Sequence, residues 1–443
     1  MDHQTAYLIQ LARQSREKLL SKVDFLLGNP ELLVKMTRLR MEDQWNTSRF
    51  AHTSTPNFRL SHVEDDFLVP IYVSFTRILS SSSNLTSITF FNIIIGLDVI
   101  HCVSQLRVLH TLGLSMCPVP PEAANALIAE AAGLSCTAYN LYILLDEPSA
   151  WYSLLFCPSL RNLSVRALSN EDILPPPDVV WESSSFFPTL ERLYLQVADP
   201  DEIPIYAHLF HVVATTTPLR LTNFKLCTGR GVLDFNILGL LRSLQSAPLR
   251  VLILEGLAEA EFDLFDRIPE LFPMLAGLTL VRRASNRQVD NRLVTWPHAS
   301  WEYAPHLARL THLQHFSWNV DVLVDPPTTK PLLLFEEGFL DDSTPDDIWL
   351  EYGRAAFFGE DYWTALPFAA HCPSLQTFSI VSEPGLLLLT RRLSRAPSGA
   401  IVSQIPPGTE DPWNPWNMRQ WDVPNMIGHW PPILPFPETI ENL

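Results

Sequence analysis

The chain has 443 residues, 47% of them hydrophobic and 18% charged, with a net charge of −17 at pH 7. Such length and apolar content suffice for a large core or a long repeat array, and the composition is not that of a disordered chain. The acidic balance argues against sequence-independent nucleic-acid binding, which relies on clustered Lys and Arg, and against docking on an anionic membrane surface.

The start, MDHQTAYLIQLARQ, lacks the basic segment and apolar run of a secretory signal. The most apolar stretch, ITFFNIIIGLDVI (88–100), contains Asp98 and falls short of the roughly 18 residues of a spanning helix. An intracellular protein, cytoplasmic or nuclear, is therefore expected. Six cysteines (Cys102, Cys117, Cys136, Cys157, Cys227 and Cys372) form no CxxC pair. They are too sparse for a disulfide scaffold and read as reduced thiols.

Residues 5–27 place Leu8, Leu11, Ala12, Leu19, Val23 and Leu26 on one helical face, ahead of the breaker Gly28-Asn29-Pro30. Residues 1–30 are expected to be a helical cap, with the remnant of an adaptor-binding helical domain as the other reading. From there a pattern L-x-x-L-x-L recurs. It is weak at Met36/Leu39/Met41 and clearer at Leu85/Ile88/Phe90 and Leu109/Leu112/Leu114. The stretch PEAANALIAEAAGL (121–134) predicts a helix with proline in its first turn. YNLYILL (139–145) would be a degenerate unit filling the gap before the next repeat.

The pattern is plainest in CPSLRNLSV (157–165), FPTLERLYL (187–195), FPMLAGLTL (272–280) and CPSLQTFSI (372–380). Pro158, Pro188, Pro218 and Pro248 recur every 30 residues, and Pro273 follows 25 later. A fixed period in this range marks a repeat architecture. The two apolar residues of L-x-L are two apart, so they share one face of a strand. Proline ends the preceding helix, and its missing N–H costs little at a strand entry. The residue before it (Cys157, Phe187, Phe272, Cys372) is expected to fill the helix–strand corner. VLDFNILGLLRSLQ (232–245) and YAPHLARLTHLQ (303–314) read as intervening helices. Consecutive strands joined by helices lie parallel. Leu221/Phe224/Leu226, Leu249/Leu252/Leu254 and Leu313/Phe316/Trp318 continue the series.

Residues 331–371 break the pattern with nine acidic side chains, from Glu336 to Asp361, against Arg354 alone. A solvated loop is expected, with a docking site for a basic partner or a metal site as the other readings. The spacing fits no calcium loop. The tail, 386–443, holds Trp413, Trp416, Trp421 and Trp430 among prolines. It reads as an extended segment folding back as a cap, or as a partner-binding segment.

These motifs resemble a leucine-rich-repeat protein of the long, ribonuclease-inhibitor-like type. FPxLxxLxL and CPSLxxLxL are similar to the degenerate repeats of fungal F-box/LRR-like proteins. The resemblance covers roughly residues 30–385. It implies an α/β fold: a right-handed horseshoe solenoid over 31–385, with parallel strands on the concave face and helices on the convex face. The family's Asn or Cys after L-x-L is not regular here, since Ala198 and Arg283 stand in two of its places. The Leu-Pro-x-Glu-hydrophobic opening of an F-box is not visible.

No catalytic motif stands out: there is no G-x-S-x-G, Walker A, HExxH or strand-borne G-x-G-x-x-G. His101, Cys102, His110 and Cys117 do not match structural zinc spacing. The expectation is a non-enzymatic protein-interaction scaffold with no cofactor, binding a protein partner on the concave face. The alternative is a substrate-recognition subunit of an SCF-type ubiquitin ligase, with a Skp-type adaptor as partner. A remote alternative is an enzyme using the acidic insertion. In each repeat the residues alternating with the leucines should point outward. Among them Arg166, Arg192, Tyr194 and Lys225 make a basic and aromatic patch, and His315 lies further along. These five are the candidate partner-binding residues. Leu193 should be core, whereas Tyr194 should serve binding alone.

Overall fold

The computed structural model describes residues 3–42, 66–130, 136–145, 148–167, 176–183, 187–197, 200–283, 296–298, 300–319, 362–382, 386–398 and 401–404. They fall into two units, Met1–Leu190 and Glu191–Leu443.

In unit 1 each apolar triplet becomes a strand. The strands are β1 (Arg38–Glu42), β2 (Ser87–Phe91), β3 (Thr111–Ser115), β4 (Asn140–Leu145) and β5 (Asn162–Ala167), each parallel to the next. The weak motif at Met36/Leu39/Met41 forms β1, and the degenerate YNLYILL forms β4. Registers align the motif position by position: Ile88, Leu112, Leu141 and Leu163 share one row, and Phe90, Leu114, Ile143 and Val165 the next. All eight are buried.

The crossovers are α3 (Val69–Ser81), α4 (Leu97–Ser104), α5 (Pro121–Glu130) and a 3-10 helix (Pro148–Phe156). A short helix, α6 (Asp178–Ser183), follows β5. At the N-terminus α1 (His3–Leu27) packs on α3 and on α2 (Pro30–Lys35), and it buries Ile9, Ala12 and Val23. Leu11, Leu19 and Leu26 of the expected face are half-buried. The Arg16 guanidinium sits 4.6 Å from the centre of the Phe67 ring.

In unit 2, β6 (Arg192–Val197), β7 (Asn223–Val232), β8 (Val251–Leu257), β9 (Gly277–Arg282), β10 (His315–Trp318) and β11 (Thr377–Ser382) run parallel in that order. Between them stand α7 (Ile203–Thr216), α8 (Asp234–Ser243), α9 (Phe262–Leu271), α10 (Ser300–Tyr303) and α11 (Tyr362–His371). One core row runs Leu193, Phe224, Leu252, Leu278, Phe316, Phe378, and all six are buried. Toward β11 aromatic rings replace leucine. Phe368 of α11 lies 4.8 Å from Phe316, 5.0 Å from Trp318 and 5.6 Å from Phe378, between ring centres. Each unit is thus α/β, with mostly parallel strands. No described helix is long and apolar enough to cross a membrane.

Hydrogen bonds fix the register where one parallel strand follows another within each unit. The carbonyl just before one strand accepts two successive N–H groups at the next. Thr37, Thr86, His110 and Tyr139 do this in unit 1, and Glu191, Thr222, Arg250, Ala276 and Gln314 in unit 2. Corner hydroxyls repeat the device: Thr189 Oγ1 donates to Leu160 O at 2.7 Å, and Ser374 Oγ to Leu313 O at 2.8 Å. Cys157, Phe187, Phe272 and Cys372 are all buried at the corners, as their phase before proline requires.

Three expectations change. The acidic insertion does not reach residue 371, because 362–371 form α11, whose Phe368 belongs to the core. Residues 331–361 lie outside the described residues. The start of the tail is more regular than expected: β12 (Leu386–Arg395) and β13 (Ile401–Gln404) fold back on β11 as antiparallel strands. The four tail tryptophans lie outside the described residues. And 303–314 form a 3-10 turn (Ala304–Arg309) behind α10 rather than an α-helix.

The Leu193→Asp variant buries a carboxylate with no counter-charge beside it, and should lose more than about 4 kcal/mol or fail to fold. Phe235→Ser on α8, at a ring 65% exposed, should change stability by less than about 0.5 kcal/mol. Urea melts followed by circular dichroism separate the two, and equal melts would refute the facing assigned to β6.

Candidate functional site

Strand alternation leaves a second set of side chains on the face opposite the leucines. In unit 2 one row is Tyr194, Lys225, Ile253, Thr279, Ser317, Ser379; the next is Gln196, Cys227, Glu255, Val281. Exposure was expected here, but the structure shows burial. Lys225, Cys227, Ile253, Glu255, Thr279, Val281 and Ser317 are all buried.

A charged cluster lies within this face. Lys225 Nζ donates to Glu255 Oε1 at 2.5 Å, and Arg283 Nη2 stands 3.6 Å from Glu255 Oε2. Arg283 Nη1 donates to Thr228 O at 2.7 Å, and Thr228 Oγ1 to Glu255 O at 3.2 Å. The Lys225 ammonium sits 4.8 Å from the centre of the Tyr194 ring, a cation–π contact. Tyr194 and Val251 pack on Ile253.

Burial alone would raise the Glu255 carboxyl, but the charges of Lys225 and Arg283 outweigh it and hold the group below the usual range. Burial, with the Glu255 charge beside it, pushes the Cys227 thiol up to about 11, so it stays a neutral thiol near neutrality. Two cations share one carboxylate, so the cluster carries one net positive charge.

Local backbone makes the cluster. The strand registers shift after Cys227 in β7 and after Glu255 in β8, where Gly256 takes a φ of 118°. That irregularity lets Glu255 and Leu257 both be buried. At Gly231 a Cβ would meet the Arg283 carbonyl at 2.7 Å, so only glycine lets that backbone approach. Nearby, Asp234 accepts the Ala260 and Glu261 N–H groups at 3.0 and 2.8 Å and so staples α8 to the left-handed turn at Ala260.

The five expected partner-binding residues divide. Tyr194 and Lys225 come together, but Lys225 is buried and neutralised by Glu255, so it is not part of an exposed basic patch. Tyr194 is half-buried and tied to the fold through Lys225 and Ile253, so it does not serve binding alone. Arg192 is half-buried two residues before Tyr194, in the row of Asn223, Val251, Gly277 and His315. His315 is four strands away, roughly 19 Å at ordinary strand spacing. Its Nδ1 meets Thr377 Oγ1 at 2.7 Å, and burial pushes its pKa down to about 4. Arg166 belongs to unit 1, where its charge opposes the burial that raises the Tyr142 phenol. In the same unit a short ladder links Thr111, Asn140 and Asn162: Asn140 Nδ2 donates to Thr111 Oγ1 at 3.2 Å, and Asn162 Nδ2 to Asn140 Oδ1 at 2.5 Å.

Glu255 and Arg283 were missed as site residues. The signal for Glu255 was present: repeat phase sets Ile253 beside Lys225, and a same-face residue two further on is its diagonal neighbour. Arg283 lies just past the end of β9, where the resembled repeats carry Asn or Cys, and nothing in that phase points to an ion pair with Glu255. Among the described residues no group of three His, Cys, Asp or Glu could hold a metal ion. No protein-family model matches the chain, and no curated protein matches it either.

Removing one partner of a buried ion pair strands the other charge. Glu255→Gln and Lys225→Met should each cost about 3 kcal/mol, and the pair together less than their sum, with a coupling of at least about 1 kcal/mol in urea melts. Additive losses would mean the pair is not coupled. His315 gives a pH signature. Its folded pKa lies below the ordinary 6.5, so between pH 6.5 and about 4 the unfolded chain takes up a proton that the folded chain refuses. Its stabilising contribution is full above 6.5 and is lost as pH falls toward 4. The melting-temperature gap between wild type and His315→Gln should therefore shrink over that window, and a constant gap would contradict the burial of the ring.

Proposed function

We propose that the chain is a non-enzymatic protein-interaction scaffold of the leucine-rich-repeat type, a right-handed solenoid whose strand face receives a protein partner. The observation that carries this is the in-register stacking of side chains on the face opposite the core. The alternate strands β6, β8 and β10 set Arg192, Tyr194, Val251 and His315, all partly exposed, beside a buried polar and charged layer. Within that layer the hydroxyls of Thr279 and Ser317 find no hydrogen-bond partner among the described residues. A rigid base with aromatic and cationic groups at its margin suits recognition of a protein surface, because Tyr and Arg are among the residue types that most often anchor interfaces.

The ubiquitin-ligase reading needs an N-terminal helical unit free to hold a Skp-type adaptor. The packing of α1 on α2 and α3 supports a cap instead. So does the bonding of α2 to the strand region: Asn84 Nδ2 donates to Val34 O at 2.8 Å, and β1 follows directly to pair with β2.

Affinity capture with the tagged full-length chain tests both readings. Beside it run the double variant Arg192→Glu, Tyr194→Ala and the helix-face variant Phe235→Ser. A partner held by wild type and Phe235→Ser but lost at least tenfold from the double variant supports the strand-face scaffold. Partners retained by all three refute it, and co-capture of a Skp-type adaptor with a cullin restores the ligase reading.

A further inference from the structure

Cys136 and Cys157 stand 21 positions apart in unit 1, and their Sγ atoms are 3.3 Å apart. Cys136 lies just ahead of β4, and Cys157 fills the corner ahead of β5, the position that phenylalanine takes in FPTLERLYL. The Cys136 N–H donates to the Phe156 carbonyl at 2.6 Å, so the two segments are tied at the peptide that leads into Cys157. With ordinary backbone dimensions that bond keeps the two Cα atoms within about 7 Å, the outer limit for disulfide closure. Forming a bond of about 2.05 Å then needs the sulfurs to approach by little more than an ångström.

Both side chains are buried. The hydrogen bond from Cys157 holds the Cys136 thiol below its ordinary value, while burial pushes Cys157 well above. Of the two, the Cys136 sulfur is therefore the better nucleophile. An apolar filler would serve the corner equally well, as phenylalanine does at 187 and 272. Packing by itself does not call for two thiols in contact.

We propose that Cys136 and Cys157 are a reversible modification site, closing to an intrachain disulfide when the protein meets a hydroperoxide. The Cys136 sulfur attacks one peroxide oxygen, the O–O bond breaks, and an alcohol or water leaves, giving a sulfenic acid at Cys136. The Cys157 sulfur then attacks the Cys136 sulfur. The S–S bond forms, the S–O bond breaks, and the hydroxide takes the Cys157 proton as water. Two thiols are oxidised and one hydroperoxide is reduced. The cross-link encloses β4 and the 3-10 helix Pro148–Phe156 and restricts the unfolded chain there. This holds whether or not the strand face binds a partner.

The test treats the reduced full-length protein with hydrogen peroxide, unfolds it, alkylates the free thiols with iodoacetamide and weighs the product. Alkylation should fall from six thiols to two fewer, with a linked peptide pair carrying Cys136 and Cys157. The oxidised protein should melt about 5 °C higher, an effect that dithiothreitol reverses. Cys102→Ser should keep the link, while Cys136→Ser and Cys157→Ser should each lose it. Six alkylatable thiols after the same exposure would overturn the proposal. So would oxygen added at the half-buried Cys102 with no linked pair, or a link between any other two cysteines.

Discussion

One hydrogen-bond arrangement governs the rest of the structure: the carbonyl at each strand entry that accepts two N–H groups from the following strand. Nine such carbonyls recur within the two units. Each sets where the next strand begins, and because strand side chains alternate, a shift of one residue would turn every leucine of that strand outward. With the entry fixed, the apolar residues two and four positions after that carbonyl stack into continuous rows. The repeat period of the sequence is free to vary, from 25 to 30 residues between prolines, because loops and helices absorb the difference before the clamp.

A clamped register has a second consequence. It aligns whatever residues alternate with the leucines, and so brings together side chains from repeats that share no other feature. Lys225 and Glu255 are 30 residues apart, one repeat, and meet at 2.5 Å. Their attraction is strong because the surroundings are dry, and for the same reason neither can be removed alone without cost. Tyr194 covers the ammonium from the preceding strand, and Arg283 closes the cluster from the end of β9. This part of the face is a rigid charged layer under a thinner margin of accessible groups, which is the physical basis for assigning recognition to the margin.

The C-terminal end of unit 2 departs from leucine. Phe316, Trp318, Phe368 and Phe378 form one aromatic group, and α11 contributes to it although its sequence follows directly on an acidic stretch. Large rings fill the space between β10, β11 and α11. The antiparallel strands β12 and β13 then add to β11, so β11 is not left as an unpaired edge.

By itself the sequence determined the parallel strands β1 to β11 and their order within each unit, but not β12 and β13. L-x-x-L-x-L with proline before it reports its own period, and even the degenerate YNLYILL became β4, because two apolar residues spaced two apart are enough once a neighbour sets the register. It also determined the corner fillers, Cys157, Phe187, Phe272 and Cys372, whose phase before proline leaves them no solvent-facing choice. What only the tertiary structure decided is which polar residues are buried and with whom. A strand residue opposite a leucine reads as outward, yet Lys225 and Glu255 are buried because their charges cancel across adjacent strands, and Arg283 reaches them from just past the end of β9. The contact of Cys136 with Cys157 is of the same kind. Sequence gives Cys157 its corner before proline, but the distance of 3.3 Å to Cys136 exists only because parallel stacking brings the segments ahead of β4 and β5 together.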